Sequence, residues 1–302
     1  MARTIEWGAL AALGLLMACS AAAAAPENYA TVVQQARIER VEQLKQADGY
    51  LSLTASGWLQ PGANSVGSAA DNRFRMPGAP AHLGRLELAS GGRVSLHLSG
   101  ASGITVDGRP AASADVPLRT QGRDGRQTPT RVGFGSSYLY VIENGAQRGL
   151  RVKDSAARLR THFPGFDYFP IDPSWRIEAE WVPFATPHTL KIAYVTGTVG
   201  DTPVAGKAVF RRNGHTYELL PIEEDDRLFF VFSDRTAGKL TYGGARFLYA
   251  AAPKDGKVLL DFNLAENPPC AITPHVVCPL APPENRLKLA VTAGELKFRG
   301  HD

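Results

Sequence analysis

The alternation of apolar and polar residues is the feature that most restricts the fold of this chain. Beyond Gly49 no helical period is found, and three segments repeat every second residue: VSLHL at 94–98, WRIEAEWV at 175–182 and LKLAVTA at 287–293. Because successive side chains of a strand point to opposite faces, this pattern predicts strands with one buried face. The chain also holds 30 glycines and 21 prolines among 302 residues, so turns are frequent. The sequence therefore predicts an all-β fold.

Dipeptides of the type that favours positive φ mark the turns of this predicted fold. The clearest hairpin is RRNGHTYELL at 211–220, and in the next LLDFN follows APKDGK. In the second hairpin we expect Asp261 to pair near position 249, on the same sheet face as Arg246. Four such dipeptides stand between strand-type segments: Asp107-Gly108, Asn144-Gly145, Asn213-Gly214 and Asp255-Gly256.

One helix and two β regions complete the predicted organisation. Val33, Val41 and Leu44 share a narrow helical sector with Ile38 at its edge, which predicts an amphipathic helix within residues 26–48. The proline- and aromatic-rich stretch at 163–175 interrupts the strand pattern. We therefore expect two antiparallel β regions, sandwich or barrel-like, at 49–165 and 166–302, as one domain or two.

The N-terminus has the layout of an export signal over residues 1–25, with Arg3, a short apolar run and a small-residue tract. Leu16-Met17-Ala18-Cys19 resembles a lipobox, which predicts a lipid on Cys19 and attachment to a membrane. Cleavage near Ala23–Ala25 is the alternative, and it gives a soluble periplasmic protein. Either way we expect the protein in the periplasm or cell envelope.

Charge and missing motifs exclude several common functions. The net charge is +4 and the basic residues are scattered, whereas nucleic-acid binding needs a concentrated basic stripe. The motifs G-x-S-x-G, H-E-x-x-H, G-x-x-x-x-G-K-[ST] and G-x-G-x-x-G are all absent. The sequence thus predicts no cofactor and no nucleic-acid partner.

Residues 261–287, which we call the strap, read DFNLAENPPCAITPHVVCPLAPPENRL and contain six prolines. Proline fixes φ and removes a backbone donor, so this loop is expected to be rigid and extended, with side chains satisfying its backbone. Asn263, Asn267 and Asn285 supply both donors and acceptors for that role. Rigid loops also pre-organise binding sites, so the same asparagines are candidate ligand-binding residues.

Cys270 and Cys278 lie in the strap, with seven residues between them. In an exported protein a disulfide between them is the simplest expectation. His275 between them gives C-x4-H-x2-C, but a zinc site needs a fourth ligand from afar, His162, His188, His215 or Asp261, and no metal is predicted. A pair of reactive thiols is the third possibility.

The second β region resembles a known family. It reads F-x-F-S-D-R-T-A-G, then T-Y-G-G-A-R-F-L, then the whole strap, then A-G-E. This order is similar to domain-of-unknown-function family 1684 of bacterial and archaeal proteins, and earlier pieces such as GWLQPGANSVGS extend the likeness to residues 33–297. The resemblance implies no particular reaction. His275 and Glu266 depart from the family pattern, which has aromatic residues there.

Charged residues around the strap suggest its function. Arg246 precedes a turn, Asp261 follows it and Arg286 closes the strap, so the three can form a clamp for an anion or a structural salt bridge. The sequence therefore predicts an exported envelope protein that binds a small or anionic ligand in a cleft under the strap. A hydrolase using Asp261, Asp234 or His275 as acid or base is one alternative, and a structural partner of envelope proteins is another. We expect Asp234, in FVFSDRTAG, to accept backbone N–H groups in a turn.

Overall fold

The computed structural model describes residues 28–100, 102–122, 127–195, 197–224 and 226–300. The predicted export signal and Cys19 lie outside these ranges. The N-terminal helix is present as α1, Tyr29–Leu44, with the side chain of Asn28 accepting a hydrogen bond from the backbone N–H of Ala30. A second, one-turn helix, α2, spans Arg158–Thr161. No helix in the described ranges combines the length and apolarity needed to cross a bilayer.

Among its described residues, the first β region has twelve strands, which form two sheets. One sheet has the order β1-β12-β11-β10-β6-β7, with β9 pairing β11, and the other has the order β3-β2-β4-β5-β8. Most pairs are antiparallel; β2 with β3 and β9 with β11 are parallel. The strands are β1 Leu53–Trp58, β2 Gly62–Gly67, β3 Phe74–Arg75, β4 Gly84–Leu88, β5 Val94–Leu98, β6 Ile104–Val106, β7 Arg109–Pro110, β8 Asp115–Leu118, β9 Thr120–Gln121, β10 Val132–Phe134, β11 Ser137–Asn144 and β12 Gln147–Asp154.

The second β region has seven strands in the part of the chain that the structure describes, again in two open sheets. A four-stranded sheet has the order β15-β14-β13-β19, and a three-stranded sheet has the order β16-β17-β18; all these pairs are antiparallel. The strands are β13 Arg176–Ala193, β14 Val199–Arg212, β15 His215–Leu219, β16 Ile222–Glu224, β17 Arg227–Phe232, β18 Arg246–Ala251 and β19 Lys257–Asp261. The mostly-β fold with antiparallel sheets and one N-terminal helix is thus confirmed.

Each region has its own buried apolar core. The first contains side chains from both of its sheets, such as Leu86 and Leu139. The second contains Phe230 and Leu248 from the three-stranded sheet and Leu260 from the four-stranded sheet. A third cluster brings α1 and the strap together with the proline-rich residues 163–175, which we call the bridge. Its members are Leu44, Leu51, Leu159, Phe163, Phe166, Ile272 and Phe298.

The predicted turns form, but one predicted hairpin does not. Asp255 and Gly256 both have positive φ, and Lys254 and Lys257 exchange backbone hydrogen bonds across them. The strands on either side then separate, because β18 pairs with β17 and β19 pairs with β13. The prediction that Asp261 pairs near position 249 is therefore wrong. Both strands bury side chains in the same core, so the turn carries the chain from one sheet to the other.

The segment at 287–293 was predicted to be a strand, and its burial alternates as a strand's would. Leu287, Leu289, Val291 and Ala293 are buried, while the residues between them are exposed. It nevertheless belongs to no sheet of the described chain. Leu287 and Leu289 make single backbone hydrogen bonds with Ser233 and Arg235. The strand prediction is wrong because the backbone groups of Val291 and Ala293 then bond to side chains, so no continuous ladder forms.

Candidate functional site

A buried ion pair supplies part of that bonding. Arg246 Nη2 lies 2.6 Å from Asp234 Oδ2, and both side chains are 1% exposed. The same guanidinium donates to the carbonyls of Ala293 and Val291, at 2.5 and 3.0 Å. Asp234 accepts in turn from the N–H groups of Thr236 and Val291, so its predicted turn role is confirmed. The pair therefore fixes residues 288–295, which we call the C-terminal segment, against β18.

Asp261 has different partners and does not meet Arg246. Its carboxylate accepts hydrogen bonds from the hydroxyl of Tyr29 at 2.8 and 2.9 Å and from the N–H of Asn263 at 3.1 Å. The nearest cation is Arg176, at 3.9 Å. Burial, followed by the hydrogen bond from its hydroxyl to Asp261, raises the pKa of Tyr29 above its usual value. Asp261 thus ties the first turn of α1 to the start of the strap.

Arg286 also lies apart from the predicted clamp. It is exposed, and its Nε donates to the carbonyl of Ala281, 3.2 Å away within the strap. With Arg246 bound to Asp234 and Asp261 bound to Tyr29, the three predicted clamp residues occupy three separate environments. The single site beneath the strap that the hairpin pairing predicted is not formed.

The three asparagines hold the strap in place, as expected. Asn285 is fully buried and accepts from the N–H of Leu220 while donating to the carbonyls of Leu220 and Val231, at 2.8, 2.8 and 3.0 Å. Asn263 exchanges hydrogen bonds with both backbone groups of Asp172. Because proline-rich backbone offers few donors, these amides supply the connections that a sheet would otherwise give.

Asn267 connects the strap to Glu295. Its N–H and its side-chain Nδ2 both donate to Oε2 of Glu295, at 2.6 and 3.0 Å, and Nδ2 also reaches the carbonyl of Leu296. Gly294 precedes Glu295 with φ +83°, and a side chain there would lie 2.4 Å from the carbonyl oxygen of Ala265. Glycine is required at this position, and it lets the C-terminal segment approach the strap closely.

The two strap cysteines are close together as free thiols. The N–H of Cys270 donates to Sγ of Cys278 at 3.2 Å, and Cys278 is buried. The hydroxyl of Tyr242 lies 3.8 Å from Sγ of Cys270. The hydrogen bond from Cys278, with a smaller contribution from Tyr242, lowers the pKa of the Cys270 thiol. Their disulfide stays a prediction.

His275 faces the first β region. Its Nδ1 lies 3.4 Å from the hydroxyl of Ser56 on β1, and its carbonyl accepts from Arg151 at 2.8 Å. Burial lowers the pKa of the imidazole, and the charge of Arg151 adds to this effect. A cavity of about 60 Å³ lies between the strap and this sheet. In the described residues no group of three or more His, Cys, Asp or Glu side chains is placed to hold a metal ion.

A larger cavity, of about 170 Å³, lies between α1 and the first residues of the strap, and we call it the helix–strap cavity. Its wall is formed by residues of α1 and of the strap, together with residues of the bridge, β18 and the C-terminal segment. Of the residues predicted to bind ligand, Asn263 alone lines it. The lining residues are Ala36, Arg37, Arg40, Tyr168, Tyr249, Asn263, Leu264, Ala265, Glu266 and Glu295.

Two carboxylates share one guanidinium at this cavity. Arg40 Nη1 lies 2.8 Å from Oε2 of Glu266, and Arg40 Nε lies 2.5 Å from Oε1 of Glu295. Burial, partly offset by the Arg40 charge, raises the pKa of Glu266 to about 7, and the negative charge of Glu295 adds to the rise. Glu266 is thus the cavity carboxyl that can change its protonation state near neutral pH.

The second arginine of the cavity has no carboxylate within ion-pair distance in the described residues. Arg37 lies over the ring of Tyr168, with its guanidinium carbon 4.0 Å from the ring centroid, and Nη2 is 3.5 Å from the carbonyl of Phe169. Its Nε and the hydroxyl of Tyr168 are buried, and neither has a hydrogen-bond partner in the described structure. Burial raises the pKa of Tyr168 to about 12, so its hydroxyl remains a donor.

Comparison with known proteins bears on the second region. A family model described as a protein of unknown function, DUF1684, matches residues 161–296. The chain belongs to this family. An uncharacterized protein of Haloarcula marismortui, solved by solution NMR, is 32% identical over a match that covers 47% of this chain and 81% of that chain, with a TM-score of 0.39.

A second solved structure, Rad53 residues 1–466 in complex with AMP-PNP, is 10% identical, covers 75% of this chain and 51% of that chain, and has a TM-score of 0.19. At these TM-scores neither structure supports an argument about the fold. No curated protein matches this chain.

The DUF1684 match includes most of the cavity wall but not α1. Tyr168, Tyr249, Glu266 and Glu295 lie inside residues 161–296, whereas Arg37 and Arg40 come from α1. The sequence interpretation missed both arginines. Arg37 and Arg40 are three residues apart, a spacing that places both side chains on one helix face. This spacing is the feature of the sequence that could have identified them. Glu266 was noted as a departure from the DUF1684 pattern but was not predicted to be a site residue.

Proposed function

We propose that this DUF1684 protein binds a small carboxylate in the helix–strap cavity. The observation that carries the proposal is the arrangement of Arg37 and Tyr168. Arg37 lacks a carboxylate partner in the described chain, and its Nε and the Tyr168 hydroxyl are buried donors without acceptors. Buried donors without partners are costly in a folded protein, and an anionic ligand supplies the missing acceptors. Arginine binds carboxylates through its fork of N–H groups.

The size of the cavity limits the ligand. Its volume of about 170 Å³ is close to the ~150 Å³ of an engineered protein cavity that holds benzene. The wall includes the apolar side chains of Ala36, Leu264 and Ala265. The ligand we propose is therefore a carboxylate with a short apolar body, no larger than benzoate.

The position of the cavity revises the binding site expected from the sequence. The strap itself is packed, because Asn267 and Asn285 are fully buried with protein partners. The proposed site lies beside its first residues, against α1, and it does not include Arg246, Asp261 or Arg286. We also propose that the protein is exported to the cell envelope, on the basis of the signal-like residues 1–25.

Ligand binding is tested by calorimetric titration of acetate, propanoate and benzoate into the wild-type protein, with benzamide as the uncharged analogue. We expect the wild-type protein to bind benzoate saturably and to bind benzamide at least tenfold more weakly. Arg37→Gln should bind benzoate at least tenfold more weakly than the wild type does. Arg286→Gln is the matched control, because it removes an exposed arginine of the strap outside the cavity, and it should bind as the wild type does. Failure of all three carboxylates to bind, or wild-type affinity in Arg37→Gln, would overturn the proposal.

A further inference from the structure

The charges around the helix–strap cavity are balanced in a way that an anionic ligand must disturb. Two arginines and two glutamates line the cavity, so their formal charge is zero when both carboxyls are ionised. A carboxylate that enters beside Arg37 would add a negative charge to this set. The set becomes net positive, and more favourable to an anion, only when one glutamate carries a proton.

The two glutamates are not equally able to carry it. The side chain of Glu295 is 2% exposed, and its oxygens accept from Arg40 and from the N–H and Nδ2 of Asn267. Hydrogen bonds to a carboxylate favour its ionised form. Glu266 has one side-chain donor in the described chain, Nη1 of Arg40, and it is 18% exposed. The proton therefore belongs on Glu266.

The backbone holds Glu266 in this position. Glu266 and Phe247 exchange N–H to carbonyl hydrogen bonds of 2.9 Å in both directions, which joins the strap to β18. The backbone of Glu266 is thus fixed at the cavity wall, and the ion pair with Arg40 holds its carboxyl at the cavity.

Charged and titratable groups face Glu266 from every neighbouring element. Arg40 stabilises its ionised form, and Arg227 of β17 adds to that effect, while Glu295 opposes it. Three tyrosines also lie near Glu266: Tyr249 of β18, Tyr168 of the bridge and Tyr50 after α1. Burial raises the pKa of each hydroxyl, and the negative charge of Glu266 adds to the rise, so all three stay neutral near pH 7. Among these groups Glu266 is the one that titrates near neutrality, because its burial is only partly offset by the charge of Arg40.

We infer that Glu266 takes up a proton when a small carboxylate enters the helix–strap cavity, so that anion and proton bind together. The inference rests on the proposed function. It makes the site sensitive to pH in a range where the ligand itself stays ionised. Its sign is fixed: the anion binds more weakly as the pH rises, because the ionised Glu266 repels it.

Benzoate titrations between pH 6 and pH 8.5 test the inference. For the wild type we expect the dissociation constant to be constant below about pH 7 and to rise by up to tenfold per pH unit above it. Glu266→Gln should bind benzoate with the same affinity throughout, because glutamine has no proton to exchange. Glu284→Gln, an exposed position of the same strap, is the matched control and should keep the wild-type dependence.

A second measurement does not depend on a variant. Calorimetry of the wild type near pH 8 in two buffers of different ionisation enthalpy should show uptake of close to one proton per benzoate bound. Benzoate binding that is independent of pH, or that releases no buffer proton, would overturn the inference and leave the proposed function standing. Absence of benzoate binding would overturn both.

Discussion

Arg246 and Asp234 form an ion pair of 2.6 Å in which neither side chain is more than 1% exposed. Both side chains also bond to the protein backbone: Arg246 donates to two carbonyls of the C-terminal segment and Asp234 accepts from one of its N–H groups. An ion pair thus replaces a strand as the neighbour of residues 291–293. The function of this pair is to hold the segment that ends at the cavity residue Glu295.

Replacement of Arg246 by Met should therefore destabilise the protein strongly. It leaves Asp234 buried without its charge partner and two carbonyls without a donor, a loss of about 3–5 kcal/mol in the free energy of unfolding. Urea denaturation followed by circular dichroism measures it. Arg286→Met, at an exposed position, should stay within about 0.5 kcal/mol of the wild type. Equal midpoints for the two variants would contradict the structural role of the pair.

Asn285→Ala should also destabilise the fold. The substitution leaves the N–H and carbonyl of Leu220 and the carbonyl of Val231 without their buried partner, at a cost of about 3 kcal/mol in total. The change in thermal denaturation is the measurement. Glu284→Ala, at the adjacent exposed position, serves as control. If Asn285→Ala melts with the wild type, the asparagine does not hold the strap.

The pH dependence of stability should reveal Glu266. Its pKa of about 7 in the folded protein lies above the ordinary 4.5, so unfolding releases a proton between these values and stability falls as the pH rises through this window. Glu266→Gln lacks this loss. The difference between the free energies of unfolding of Glu266→Gln and the wild type should therefore shift in favour of the variant by up to about 3 kcal/mol between pH 4.5 and pH 7. Above pH 7 this difference should stay constant. Denaturation at a series of pH values measures the difference, and parallel curves throughout would refute the raised pKa.

Cys270 and Cys278 should form a disulfide under oxidising conditions, because the N–H of one already lies 3.2 Å from the sulfur of the other. Intact-mass measurement of protein made in an oxidising compartment should show the loss of two hydrogen atoms, restored by a reductant. Closing so short a loop is worth roughly 2–3 kcal/mol. Two free thiols in such protein would exclude the disulfide, and bound zinc would point to a metal site instead.

Cys19 should carry a lipid if Leu16-Met17-Ala18-Cys19 acts as a lipobox. Replacing Cys19 by Ser removes the acceptor, so the protein should move from the membrane fraction to the soluble fraction. Cell fractionation with immunodetection measures the change. A soluble wild-type protein whose N-terminus lies near Pro26 would show that ordinary cleavage occurs.

Local patterns predicted the local structure well. Val94–Leu98 is a strand, the helix α1 lies within residues 26–48, and hairpin turns form at Asn213-Gly214 and Asn144-Gly145. Each of these depends on residues that are close in sequence, where side-chain period and the preference for positive φ act directly. The strap asparagines were also recognised, because a proline-rich segment must obtain its hydrogen bonds from side chains.

The predicted clamp failed because it assumed that consecutive strands pair. Arg246 and Asp261 flank a turn that forms, but the strands leave it for different sheets that pack on a common core. The alternation of Leu287, Leu289 and Val291 correctly predicted that these side chains are buried. It wrongly predicted that the segment is a strand of a sheet, again because strand pairing was assumed. Periodicity reports which side chains are buried, and it does not report what the backbone bonds to.

The sequence by itself determined the mostly-β fold, the N-terminal helix, the membership of the DUF1684 family and the role of the strap asparagines in bonding the strap to the protein. Only the tertiary structure decided where the cavity lies and which residues line it. Arg40 and Glu295 are 255 residues apart in the chain, yet their side chains meet at 2.5 Å with Glu266 on the other side of the guanidinium. No local pattern encodes such a contact, because it depends on the way the helix, the strap and the C-terminal segment pack together once the sheets have formed.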